Sequence, residues 1–167
     1  MSALRTTFLF AFLALSLRAH VVEQFFVELQ EPAPAWRLEV LFDVGYAKPE
    51  WRGDPDSPPP TREWLVERTA DEHAAFRAET ERFLRECLGF HHGEEAAEVS
   101  YHFPDFDSSP PDFTTLLTGG AYYRVRIEPE TPGSTRVWTA ATDGPDFVFQ
   151  VSDPETGEAG FVTLSPG

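Results

Sequence analysis

The residues of this 167-residue chain best suited to hold a metal ion are its five histidines, His20, His73, His91, His92 and His102. A histidine at a free N-terminus offers its α-amino group and its imidazole together. A second histidine then completes a T-shaped set of three nitrogens, a histidine brace, and nitrogen ligands of this kind suit Cu(II). His20 meets the first condition if the chain is cut after Ala19, and His102 is the preferred second ligand because it falls on the polar face of a strand pattern. His91 and His92 follow the expected end of a helix, in Gly-Phe-His-His-Gly-Glu-Glu. In a loop, adjacent imidazoles can converge on nickel, zinc or copper, with Glu94 or Glu95 as an oxygen ligand. The alternative for this pair is structural: histidines near a helix C-terminus favour its dipole and otherwise face water. His73 sits beside Phe76 in a helical pattern and reads as a partly buried packing residue.

Other constellations fall away. Asp105, Asp107, Ser108 and Asp112 alternate as calcium ligands do, but the stretch lacks the glycine and glutamate that an EF-hand loop needs, and Pro110-Pro111 stiffens it. A solvated acidic loop is expected there. No G-x-S-x-G, H-E-x-x-H, P-loop or G-x-G-x-x-G motif is present, so an enzyme is not the leading expectation. The single cysteine, Cys87, lies in an apolar helical stripe, where a thiol usually acts as an inert filler.

The elements that must position these residues are mostly strands. Val21, Phe25, Val27 and Leu29 alternate with polar residues, and Trp36, Leu38, Val40, Phe42 and Val44 repeat the pattern. The link Glu31-Pro-Ala-Pro between the two runs implies a hairpin or a corner where the chain changes sheets. Residues 46–60, with five prolines, read as an extended surface loop flanked by Tyr46, Trp51 and Trp64, which either border a groove or pack at the core edge. Thr61 caps a short helix through Arg68. Thr69 and Glu72 form a capping box for a longer helix that ends at Gly89. Its stripe of Phe76, Phe83, Leu84, Cys87 and Leu88 must lie across a sheet or cap one end of it. Further strand patterns cover 97–103, 121–128, 136–142, 147–152 and 161–164, separated by turn clusters and by a second proline-rich loop at 104–111. About seven strands at this spacing predict a mainly β fold, an immunoglobulin-like β-sandwich with a helical insertion at roughly residues 61–88.

The first 19 residues carry a different message. One cation, Arg5, precedes the apolar run Phe8 to Leu17, and Arg18-Ala19 ends it, which is the layout of a secretory signal peptide. Ten apolar residues fall short of the about 20 that a membrane-crossing helix needs. Cleavage after Ala19 leaves a single domain, residues 20–167, whereas cleavage after Ser16 leaves Leu17, Arg18 and Ala19 ahead of His20. The expected location is extracytoplasmic, periplasmic or secreted. Without Arg5 and Arg18 the chain holds 11 basic residues against 28 acidic ones, a charge near −17. Such a body repels phosphate backbones and anionic lipid, so nucleic-acid binding is excluded as an expectation. An exported domain with one cysteine has no internal disulfide and must be held by its core.

The signal followed by Ala19-His20, the first strand Phe25-Phe-Val-Glu-Leu-Gln and the closing strand Phe161-Val-Thr-Leu-Ser-Pro resemble the extracytoplasmic N-terminal domain of HupE/UreJ-type membrane proteins, a family associated with nickel uptake. The resemblance spans most of the mature chain as an outline. It implies an exported accessory or metal-handling domain and association with a membrane protein. It carries over no transport activity, because no helix bundle follows in this sequence. The combined expectation is a non-enzymatic exported module that binds a partner protein or small ligand, with metal handling as an accessory role. The alternative is a copper carrier or oxidising enzyme built on His20.

Overall fold

The computed structural model describes residues 24–30, 36–52, 59–113, 119–131, 136–139, 145–152 and 159–165. The expected signal peptide and His20 lie outside them. Nine strands and two α-helices occur among the described residues: β1 Gln24–Gln30, β2 Arg37–Asp43, α1 Arg62–Val66, α2 Ala70–Cys87, β3 Leu88–His92, β4 Glu95–Ala96, β5 Val99–His102, β6 Tyr122–Pro129, β7 Arg136–Thr139, β8 Asp146–Ser152 and β9 Ala159–Leu164. Six strands form one mixed sheet in the order β5-β6-β2-β1-β8-β9, and β4-β3-β7 form a smaller one.

Alternation along the strands decides which face is buried. Phe25 and Val27 of β1, Leu38, Val40 and Phe42 of β2, Tyr123, Val125 and Ile127 of β6, and Phe147 and Phe149 of β8 all belong to the core. β1 and β2 are antiparallel neighbours with Val27 opposite Val40, so they share one sheet. β1 also pairs in parallel with β8, Phe25 opposite Phe147. Phe25 is thereby placed between Phe42, with ring centroids 5.1 Å apart, and Phe147 at 5.6 Å.

The helix lies across this face. Phe83 meets Phe25, Phe42 and Tyr46 at 5.7–6.0 Å, and His73, Phe76, Thr80, Leu84 and Cys87 are buried on the same side. The capping box forms as its sequence requires: the Glu72 amide donates to Thr69 Oγ1 at 3.2 Å and the Thr69 amide donates to Glu72 Oε2 at 2.7 Å. Two backbone donors that a helix start would leave unpaired are thereby satisfied.

Two expectations change. The described residues do not show the two facing sheets of an immunoglobulin-like sandwich. The layer over the large sheet is composite, made of α2 and of β3, whose Phe90 stacks on Trp36 at 5.7 Å. The helix also ends earlier than Gly89: Leu88 is already extended, with φ −115° and ψ 127°, and the chain continues into β3 without a loop. Pairing with β7, Leu88 opposite Thr139 and Phe90 opposite Val137, holds that switch in place.

Candidate functional site

The fold separates the candidate metal ligands. His91 and His92 occupy consecutive positions of β3, opposite Ala96 and Glu95, not a loop. Side chains alternate across a strand, so the two imidazoles leave from opposite faces, and their convergence on one metal ion does not fit this backbone. His102 is exposed on β5 as expected, with Nε2 3.1 Å from the Asp107 carboxylate. Among the described residues no group of three or more His, Cys, Asp or Glu side chains could hold a metal ion.

His73 is more deeply used than its sequence context suggested. It is buried, and its Nδ1 lies 2.7 Å from the Tyr123 hydroxyl. Phe106 and Phe113 flank its ring at 5.3 and 5.0 Å. Desolvation, then the nearby Arg77 charge, pushes its pKa below the ordinary 6.5. The acidic loop also differs from expectation. Asp105 is fully buried, accepting from the Arg124 amide at 2.7 Å and from Arg124 Nε at 2.5 Å. Burial pushes the Asp105 pKa up, and the Arg124 hydrogen bonds oppose the shift. Sequence reasoning missed this because Arg124 is remote along the chain. The local signal was Asp105 standing between Pro104 and the aromatic Phe106. Tyr46, Trp51 and Trp64 pack at the core edge: Trp51 meets Trp64 at 5.6 Å, Trp64 meets Phe76 at 5.6 Å, and Tyr46 sits edge-on to Phe25 at 5.1 Å.

The face of the large sheet turned away from the helix divides in two. On the β5-β6-β2 half, charges are paired: Arg37 donates to Glu128 at 2.6 Å and Arg126 donates to its cross-strand neighbour Glu39 at 2.8 Å. On the β1-β8-β9 half the register aligns Phe26 with Val148 and Thr163, and Glu28 with Gln150 and Phe161. Phe26 and Phe161 are 57% and 66% exposed there, while Val148 between the strands is buried. Val162, on the other face of β9 opposite Phe149, is 52% exposed.

β9 ends the sheet, with no strand on its outer side among the described residues. Its sequence, Ala-Gly-Phe-Val-Thr-Leu, contains no charge and no proline. Natural edge strands are usually protected by charges, prolines, bulges or short length, since unpaired N–H and C=O groups template the addition of another strand. β9 carries the first two of these protections nowhere along its six residues. The arrangement can accept an extended chain, whose backbone would bond to the edge and whose side chains would meet Phe161 on one face and Val162 on the other.

Comparison with known proteins adds no name: no family model, no curated protein and no solved structure matches this chain.

Proposed function

We propose that this chain is an exported, non-enzymatic module that binds a partner protein by adding an extended segment of that partner to β9. The observation that carries the reading is the unprotected edge itself. Of the four large hydrophobic residues that stand exposed among the described residues, two, Phe161 and Val162, are neighbours on β9, and a third, Phe26, lies two strands away. Phe161 and Phe26 on one face of the sheet and Val162 on the other leave apolar side chains exposed on both sides of an uncharged edge, the kind of surface that marks an interaction site.

Charge states the chemistry of the partner. The whole chain has 28 acidic and 13 basic residues, and Asp153, Glu155 and Glu158 shortly precede β9 in sequence. A second copy would bring together two bodies of the same net charge, 13 basic against 28 acidic residues each. A segment that alternates apolar with basic residues satisfies both the edge and its surroundings. Association with a membrane protein, which the resemblance to HupE/UreJ-type domains implies, belongs to the same reading, as does an extracytoplasmic location after removal of residues 1–19.

The test uses two synthetic peptides of equal length, one alternating valine with lysine and one alternating valine with glutamate, titrated calorimetrically into the full chain. Saturable binding of the lysine peptide, lost in Val162→Pro, supports the reading. Binding that survives Val162→Pro is attraction to net charge alone and removes β9 from the account.

A further inference from the structure

A cavity of about 240 Å3 opens between the start of α2 and the 104–113 segment, well away from β9 in sequence. It falls below the roughly 300–1,000 Å3 of pockets for drug-sized ligands, so it suits a molecule of one ring. Its contents are unusual for so acidic a chain. Arg77, His73 and Arg68 line it together with Phe106 and Phe113, and no carboxylate does. Val66, the fourth of the exposed large hydrophobics among the described residues, also lines it.

The two arginines differ. Arg68 is already engaged: Nη1 donates to Glu72 at 3.2 Å, Nε donates to the Trp64 carbonyl at 3.0 Å, and the guanidinium lies 4.7 Å from the Trp64 ring centre. Arg77 lies over the Phe106 ring at 4.3 Å, and its buried Nε has no hydrogen-bond partner among the described residues. A buried donor left unpaired costs on the order of 1–3 kcal/mol; Nε itself is closed to the cavity, so a ligand carboxylate would meet the other nitrogens of this half-exposed guanidinium and gain charge-assisted hydrogen bonds there. A planar guanidinium is also the group best matched to a carboxylate. On His73, Tyr123 occupies Nδ1. In the tautomer in which the Tyr123 hydroxyl donates to that nitrogen, the imidazole proton lies on Nε2 and would be available to a ligand.

We infer that this cavity binds a small aromatic carboxylate, its anionic end taken by Arg77 and the His73 Nε2–H and its ring by the Phe106 and Phe113 wall. Phosphate would use the cation and leave the aromatic wall idle. A neutral ring would leave Arg77 unpaired. The inference stands apart from the β9 reading, and neither depends on the other.

The experiment titrates sodium benzoate, benzamide and inorganic phosphate separately into the full chain, following the His73 imidazole resonances by nuclear magnetic resonance. Benzoate should shift them saturably and bind at least ~10-fold more tightly than benzamide or phosphate, the margin expected of charge-assisted hydrogen bonds. Arg77→Gln should weaken benzoate by a similar factor, while Arg68→Gln, whose charge is spent elsewhere, should change it by less than about threefold. Should Arg77→Gln fail to fold, Ala70→Leu fills the cavity from an exposed first helical turn and must abolish the benzoate shift. Equal binding of benzamide or phosphate, no saturable shift at His73, or undiminished binding in a folded Arg77→Gln or Ala70→Leu overturns the inference.

Discussion

At the scale of single residues, burial redirects groups that the sequence offers for chemistry. His73 is held unprotonated near neutrality by desolvation and by Arg77. Its folded pKa lies below the unfolded 6.5, so as pH falls through that value the unfolded chain takes up the proton first and the native state loses stability. His73→Gln, which keeps a polar partner for Tyr123, should flatten the drop in urea midpoint between pH 7.5 and pH 5.5. An undiminished drop would place the acid sensitivity on other groups. His20 calls for a different measurement. Intact mass of the protein recovered from cells expressing the full sequence fixes its first residue, and a start other than His20 eliminates the copper brace. If His20 is first, Cu(II) titrated into the chain should give a nitrogen-coordinated paramagnetic signal that His20→Ala loses. In that brace His102, exposed and with Nε2 at 3.1 Å from the Asp107 carboxylate, would have to bind through Nδ1.

Among the elements, legibility in the sequence followed locality. The Thr69–Glu72 capping box needs only neighbours within one turn, and it forms as read. Thr69→Ala should cost about 1 kcal/mol, seen as a lower thermal midpoint with the fold intact, whereas Thr69→Asp should retain most of the stability. Cys87 also behaves as its stripe implied. It is buried at 3% exposure on the sheet-facing side of α2, so thiol reagents should label it slowly in the native protein and rapidly in urea, and fast native labelling would mean that α2 leaves the sheet. The end of that helix was not legible. Gly89 looks like a C-cap, but pairing of Leu88 and Phe90 with β7, nearly fifty residues onward, draws the chain into a strand. Pairing of His91 with β7 and of His91 and His92 with the nearby β4 sets the two imidazoles on opposite faces of a strand instead of in a loop. Asp105 eluded the sequence for the same reason, because Arg124 becomes its neighbour only when the sheet closes.

On the whole-molecule scale, the strand-rich character was readable from alternation and the topology was not. Nothing near Phe25 announces a parallel partner in Phe147, more than a hundred residues away, and that pairing brings β9 to the rim of the sheet. In the sequence, residues 161–164 read only as one more strand pattern among several. The place of β9 at the rim turns that into the candidate site. Substituting Phe161→Lys and Val162→Lys together should protect the edge against strand addition, leave the thermal midpoint nearly unchanged because both side chains are exposed, and abolish binding of the valine–lysine peptide. A large fall in the midpoint would show that these two residues belong to the core and not to an interface.

Addition of a partner strand to β9 should be visible in amide hydrogen exchange. With the valine–lysine peptide bound, alternate amides of residues 159–164 should slow by about tenfold or more, with β8 following weakly and the other rim strand, β5, unchanged. Slowing confined to β5, or no slowing along β9 at saturating peptide, would contradict the account.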